Sequence, residues 1–424
     1  MFKTLQCYLV CILTFAMTTH AFAVYEGFRK NGRWKKTATD GNVGSEHGRS
    51  ITLTWGFVKD GTETYRKGKP TRTSTFIAAM DAKLGSGAGG DDLTKRPWFK
   101  LFDNSFKRWS ELTGINFVYV PYDDGARHGQ GGLPGELDKR ADVRIAGAKM
   151  GPKGGDVAYS YHENNGDMFI NHNWTSRWKL FDPSKPIRKN NPVNFNNTIL
   201  HESGHGIGLS HISSKSTEQL MEIRGEKNFF GPQLDEILLA QRLYGDKYEQ
   251  FGGNDTLDTA QKIGTLTGRA TWSIGRDALR SPRRFISPNE SDFVSIDDES
   301  DTDVYQFNIT SSSTISITLT PAGYEYSRRV GGGGKKPESR VDMRKFSDLG
   351  FKIIDADGYV LKTINDNGEG RNESIRNFPL NTTGPYYISV FGLSDDAQFY
   401  SLRLKVTAVP EPAHLTQSPS LSSQ

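Results

Sequence analysis

The chain of 424 residues carries 53 basic and 49 acidic side chains, and its net charge of +4 is spread along the sequence, which gives no support to nucleic-acid binding. That length predicts two or three domains, each able to bury its own core. After the N-terminus no apolar run approaches the ~20 residues that a membrane-spanning helix requires.

In chain order, residues 1–23 read as a secretory signal: Lys3 supplies the positive start, "CYLVCILTFAM" the apolar stretch, and Ala21-Phe22-Ala23 the small-residue cleavage site. The expectation is an exported, extracellular protein. Both cysteines, Cys7 and Cys11, fall inside this signal, so the mature chain must rely on cores and bound metal rather than disulfides. Residues 24–50 are polar and Gly/Lys-rich with Trp34 as the one large anchor, a short leader that could serve as a propeptide.

The first convincing strand is "SITLTWGFV", where Ile51, Leu53 and Trp55 alternate with smaller or polar residues. "KLGSGAGGDDLTK" reads as a loop. A helix follows, with Trp98, Leu101, Phe102, Ser105, Phe106, Trp109 and Leu112 on one face, Pro97 in the first turn and Gly114 as the stop. Strands are predicted at "INFVYV", "ADVRIAG", "DVAYSY" and "DMFIN". Beyond a polar stretch come a helix bearing "HESGHGIGLSH" and a last helix through "QLDEILLAQRLYG". This order describes an α/β domain over 51–248. From 249 to 407 the texture is β: Tyr305, Phe307 and Ile309 alternate, as do Ile315, Ile317 and Leu319, then Tyr400, Leu402, Leu404 and Val406. Short alternating strands between Gly/Asp/Asn turns indicate an all-β sandwich, interrupted by the loop "RRVGGGGKKPESR". Residues 408–424 are Pro/Ser-rich and read as a disordered tail.

The chemistry concentrates in residues 201–211. On a helix, His201 and His205 project from one face one turn apart, a spacing that can hold one zinc ion through two nitrogens. Gly208 lets the chain turn sharply so that His211 returns as third ligand, leaving the fourth position for water. Glu202 sits beside the first ligand, placed to take a proton from the attacking water. The bland alternatives are a surface helix with accidental histidines, or a metal-binding relic. The retained Glu202 argues against the relic, because a purely structural site has no need of that carboxylate.

"HESGHGIGLSH" fits the extended signature of the metzincin zinc metallopeptidases, and the chain resembles the matrixins, the group that includes the matrix metalloproteinases and bacterial relatives. "FKRWSELTGINFVYV" resembles their first helix and following strand. "LDEILLAQRLYG", with Asp235, Glu236, Leu243, Tyr244 and Gly245, resembles their closing helix, so the likeness covers roughly residues 34–245. The resemblance implies a catalytic domain with a twisted, mostly parallel sheet and three helices. It also implies Met221 beneath the metal, where the alternative is an ordinary core methionine. Ile223 stands where astacins and serralysins carry tyrosine. The activity implied is that of a monomeric endopeptidase with one catalytic zinc, Glu202 as general base and protein or peptide substrates. Val157 and Ala158 would pair with the extended substrate backbone.

The departures are specific. Tyr159 and Phe169 stand where matrix metalloproteinases place histidines for a second zinc, with His162 and His172 near but out of register, and Asn171 replaces a calcium-binding aspartate. Asp40 either caps the metal in a latent form or is an ordinary loop aspartate. Phe229 or Phe230 lines or closes the specificity pocket. Further on, "DTDVYQFNI", "GFKIIDADGYVL" and "GPYYISVFG" resemble the bacterial pre-peptidase C-terminal domain, a β-sandwich for which binding to a surface or polymer stays an open role. Asp301, Asp303, Asp355 and Asp357 are either calcium ligands or turn aspartates. Two other functions remain open: a binding protein with an inactive peptidase domain, and a zinc hydrolase acting on non-peptide amides.

Overall fold

The computed structural model describes residues 32–150, 156–173, 194–212, 219–222, 229–279, 285–329 and 338–410. The expected signal (1–23), Ile223 and most of the expected tail lie outside the described residues. In the first half, a mixed five-stranded sheet is ordered Ile115–Tyr119, Ile51–Phe57, Val143–Ala148, Met168–Asn171, Ala158–Ser160. The first four strands run parallel, and Ala158–Ser160 pairs antiparallel with Met168–Asn171 at the edge.

Among the described residues four α-helices accompany this sheet, where three were expected: α1 (Phe76–Leu84), α2 (Phe99–Leu112), α3 (Phe195–Gly206) and α4 (Leu234–Tyr244). The extra one, α1, buries only Phe76 and Met80, and its N-cap residue Thr75 makes no side-chain cap. Its first-turn Ile77 and Ala78 N–H groups donate instead to the Asp60 carboxylate at 3.0 and 2.8 Å, so it lacks the stripe and local start signal that mark a helix in sequence. By contrast α2 buries Phe99, Phe102, Phe106, Trp109 and Leu112. Trp55 stacks on Phe106 at 4.6 Å, and Phe57 meets Trp98 and Phe102 edge-on at 5.2 and 5.1 Å. Each such ring contributes about 2–3 kcal/mol by burial.

Of the leader expected at 24–50, residues 32–50 are described. Trp34 and Val43 belong to the first core, the Trp34 indole donates to Gly206 O at 2.7 Å, and Tyr244 Oη accepts the Trp34 N–H at 3.1 Å. Trp34, the one large anchor legible in sequence, fastens this segment across the ends of α3 and α4, while Val43 was hidden among polar neighbours.

The second half is a β-sandwich. One sheet is ordered Gln261–Thr265, Thr302–Ile309, Gly384–Gly392, Leu349–Ile354, Val360–Ile364. The other is ordered Arg269–Ile274, Gln398–Ala408, Ser313–Pro321, Glu373–Leu380, with Val294–Ile296 also on Gln398–Ala408. Ile315, Ile317 and Leu319 point into the core from Ser313–Pro321, matching their alternation. Both ends of the loop expected at 328–340 are corrected, because they belong to the paired strands Glu325–Arg329 and Glu338–Asp342; residues 330–337 lie outside the described residues. The tail starts later than 408, because Val409 N–H still donates to Ser312 O at 2.8 Å.

The two halves share a third core. Leu112 of α2 and Leu234, Ile237 and Leu238 of α4 pack with Ile286, Phe293, Met343 and Phe399. Arg108 donates to Glu290 O at 2.7 Å, Arg242 to Asp297 O at 2.6 Å, and Gln250 to Ser110 O and Thr113 O at 2.7 Å each. The expected boundary at 248/249 therefore falls inside a seam rather than in a linker. Phe293→Ala should cost about 3 kcal/mol and lower one calorimetric transition of the whole chain. A first-half transition that stays put while only the sandwich shifts would refute this coupling.

Candidate metal centre

Helix α3 begins at Asn194, whose side chain accepts the Asn197 N–H at 3.3 Å. His201 and His205 lie four residues apart on its buried face. Beyond Gly206 the chain reverses at Gly208, whose φ of 100° and approach to Gly32 O, 2.2 Å from where a Cβ would sit, require glycine. The reversal returns His211, and its Nε2 lies 3.3 Å from His201 Nε2 and 3.2 Å from His205 Nε2.

The outer nitrogens set the tautomers. His201 Nδ1 lies 2.7 Å from Leu220 O and His205 Nδ1 2.7 Å from Leu209 O. A carbonyl only accepts, so each Nδ1 carries the proton and each Nε2 lone pair faces inward. Tetrahedral bonds of 2.0–2.1 Å around one zinc place ligand nitrogens about 3.3 Å apart, so the histidine set fits that ion. Glu202 is buried on α3 next to His201.

Met221 is fully buried under the same helix. A Cβ on Gly204 would lie 2.7 Å from Met221 Sδ, so Gly204 is what lets the sulfur approach. Ile212 N–H donates to Met221 O at 3.0 Å, tying the segment after His211 to this methionine. Glu236 of α4 accepts the Met221 N–H at 3.2 Å and the Gln233 N–H at 2.8 Å. Burial raises its carboxyl to about 8 against these two hydrogen bonds. The paired acids thus have a visible task, which sequence did not disclose: one holds the methionine turn, and the other, Asp235, accepts from Gln219.

The two substrate-edge residues separate. Asn171 N–H donates to Val157 O at 3.0 Å and Tyr161 N–H to Asp167 O at 3.0 Å, so residues 157, 159 and 161 face inward across the ladder. By alternation Ala158 and Ser160 turn their backbone groups to the open edge. Val157 is corrected, its carbonyl being used inside the sheet, while Ala158 keeps its place.

The other candidates disperse. Tyr159 and Phe169 stack at 5.1 Å with planes 8° apart, and the Arg66 guanidinium covers Tyr159 at 4.3 Å. His172 Nε2 meets Thr75 Oγ1 at 2.9 Å, whereas the exposed His162 lies edge-on to His205 with ring centres 5.4 Å apart. Asn171 cross-ties its loop, accepting from Met150 N–H at 3.0 Å and donating to Asp156 O at 2.9 Å. Asp40 does not cap the histidines but accepts the Thr52 N–H at 2.6 Å. Phe229 is buried and stacks on Phe285 at 5.2 Å, and Phe230 is half-buried against the first core. Of the four aspartates considered for calcium, Asp355 accepts from Asp357 N–H and Tyr359 N–H at 3.0 and 2.8 Å, as a turn residue does. Asp301 instead joins Glu249 and Asp255, with carboxylate oxygens within 4.8 Å of one another.

Residues 301–392 match the family model described as the bacterial pre-peptidase C-terminal domain. The chain carries that domain. No curated protein matches the sequence. Among solved structures, the pre-peptidase C-terminal domain of a Bacillus anthracis collagenase is 19% identical, covering 34% of this chain and 94% of its own at a TM-score of 0.18. The Aeromonas hydrophila periplasmic inhibitor of g-type lysozyme, PliG, is 11% identical, covering 35% of this chain and 97% of its own at 0.18. A chain of the GM1-bound ECX AB5 holotoxin is 10% identical, covering 55% and 93% at 0.26. Superpositions this weak transfer no activity.

Gly204→Ala offers a sign test of the packing around Met221. At an exposed helical site the change stabilises by about 1 kcal/mol, but here the added methyl meets the sulfur and should destabilise by about 1–3 kcal/mol. A melting temperature above that of the parent would contradict the arrangement.

Proposed function

We propose that the chain is an exported, monomeric zinc endopeptidase whose first half is a metzincin catalytic domain of matrixin type. The observation that carries this reading is the convergence of three Nε2 atoms, from His201, His205 and His211, with His211 Nε2 3.3 and 3.2 Å from the other two, beside a buried glutamate. When bound there, zinc supplies Lewis acidity that acidifies water and polarises a carbonyl. Glu202 takes the proton from the attacking water and delivers it to the departing amine. The outward backbone groups of Ala158 and Ser160 hold an extended peptide as an added strand. Nδ1 anchoring keeps His201 and His205 from rotating as charge develops.

Export rests on the composition of residues 1–23, and no helix among the described residues is long and apolar enough to cross a membrane. The pre-peptidase C-terminal domain would hold the enzyme on a surface or polymer, as well as bracing α4.

Glu202→Ala should lower hydrolysis of denatured casein by about 10²–10⁴-fold while metal analysis still finds one zinc per chain. If the zinc-loaded parent cleaves no protein or peptide library, the endopeptidase reading fails and an inactive-domain binding protein takes its place. Cleavage of small amides alone would indicate a different hydrolase.

A further inference from the structure

The open edge strand Ala158–Ser160 has two different faces. Ala158 belongs to the first core on the side of α3, whereas Tyr159 packs against Val58, Ala146, Ala148 and Phe169 on the other side of the sheet. Tyr161 follows two residues on and meets Tyr159 edge-on at 5.8 Å. A peptide added to this edge alternates in the same way. Every second side chain therefore comes to lie beside Tyr159 and Tyr161, away from the histidines.

Over that outer face lies a small three-stranded sheet, ordered Arg72–Thr73, Glu63–Tyr65, His128–Gly129. Tyr161 Oη donates to Tyr65 O at 3.0 Å, which fixes this sheet beside the edge. Two arginines arrive with it. The Arg66 guanidinium lies 4.3 Å from the Tyr159 ring centre, and that of Arg127 lies 5.0 Å from the Tyr65 ring centre. Arg66 gives one nitrogen to the exposed Asp156 at 3.1 Å, which leaves the rest of its planar fork for a further carboxylate. Arg127 is exposed and, among the described residues, has no carboxylate partner.

The charge around these two is one-sided. The turn between Tyr65 and Arg72 adds the exposed Lys67 and Lys69, so Arg66, Lys67, Lys69, Arg72 and Arg127 share one rim. Glu63 and Asp156 stand against them. The other nearby acids are engaged elsewhere: Asp60 by the start of α1, Asp123 by Arg144 and Asp124 by Arg140. A rim of one sign concentrates ligands of the other.

Spacing makes the rim selective. Residues two apart on one face of a strand are about 6.6–7 Å apart. Tyr159 has Arg66 on its outer side, and Tyr161 is joined through Tyr65 to Arg127. We infer that this edge recognises peptide segments with acidic side chains at alternate positions, Arg66 taking one carboxylate and Arg127 the other. The inference deepens the peptidase reading and rests on it, since that reading makes the edge the substrate site.

The test separates binding from cleavage. Zinc-loaded Glu202→Ala protein is titrated with labelled peptides of equal length, read by fluorescence anisotropy. They carry Glu-Xaa-Glu, Gln-Xaa-Gln, Lys-Xaa-Lys or an adjacent Glu-Glu pair. Glu-Xaa-Glu should bind roughly tenfold more tightly than Gln-Xaa-Gln, with Lys-Xaa-Lys weakest and the adjacent pair weaker than the alternate one. Added salt should shrink the preference. Arg66→Gln and Arg127→Glu should each cut it to about threefold or less, and Arg127→Glu should also gain affinity for Lys-Xaa-Lys. Equal affinities, or a Glu preference that ignores spacing or survives both substitutions, overturn the inference. Heparin binding that both substitutions abolish while the peptides stay level overturns it too, and assigns the rim to a polysaccharide. If the parent cleaves the Glu and Gln peptides with the same KM, the inference fails while the peptidase reading stands. If the acidic preference holds in binding but the parent cleaves nothing, the peptidase reading fails and recognition by this edge stands. Should Arg66→Gln unfold by uncovering Tyr159, Arg127→Glu at its exposed site decides alone.

Discussion

Helix α4 has almost no free surface, and the rest of the molecule is arranged around that fact. Every residue from Leu234 to Tyr244 is buried except Asp235, which is half-buried. Leu239, Ala240, Leu243 and Tyr244 face the first core, while Leu234, Ile237 and Leu238 face the seam with the sandwich. A helix apolar on several sides must be enclosed, and one half of the chain supplies only one wall. The sandwich supplies the other, which is why the halves fuse rather than hang on a tether.

The polar groups of α4 turn this enclosure into positioning. Glu236 holds the turn that places Met221 under α3, and Tyr244 Oη donates to Ile207 O at 2.9 Å just past the second histidine. At its other end Arg242 is buried against carbonyl and carboxylate groups of the sandwich. A disturbance at the seam therefore has a short, packed route to the histidines. The histidine site needs such bracing, because it holds three ring nitrogens close together, with His211 Nε2 3.2–3.3 Å from the other two. Carbonyl anchors and a rigid helix must supply that pre-organisation.

The histidine cluster was legible because its spacing is local. Four residues on a helix fix a common face, and one glycine fixes the reversal, so His201, His205 and His211 could be grouped before any tertiary contact was known. The same holds for α2, with its long apolar stripe, and for the alternating strands of the sandwich. What escaped the sequence is non-local. Helix α1 buries two side chains and takes its cap from Asp60, well before it in the chain, so tertiary contacts rather than local pattern maintain it. Residues 32–50 read as a leader because their two anchors, Trp34 and Val43, are sparse among polar neighbours. Val157 and Ala158 looked equivalent until the ladder showed which of them faces inward.

Sequence by itself determined the chemistry on offer here: the ligand types and their spacing, the neighbouring glutamate, and the two fold classes, because these depend on residue type and short periodicity. Only the tertiary structure decided where the halves meet, which strand edge is open, and which acids converge. Asp301 and Asp355 are indistinguishable as turn aspartates in sequence. Both accept a nearby backbone N–H, but Asp301 is also carried by the sandwich to within reach of Glu249, 52 residues earlier in the chain. Long-range juxtaposition of this kind is set by how whole sheets and helices bury their apolar faces, and no local pattern records it.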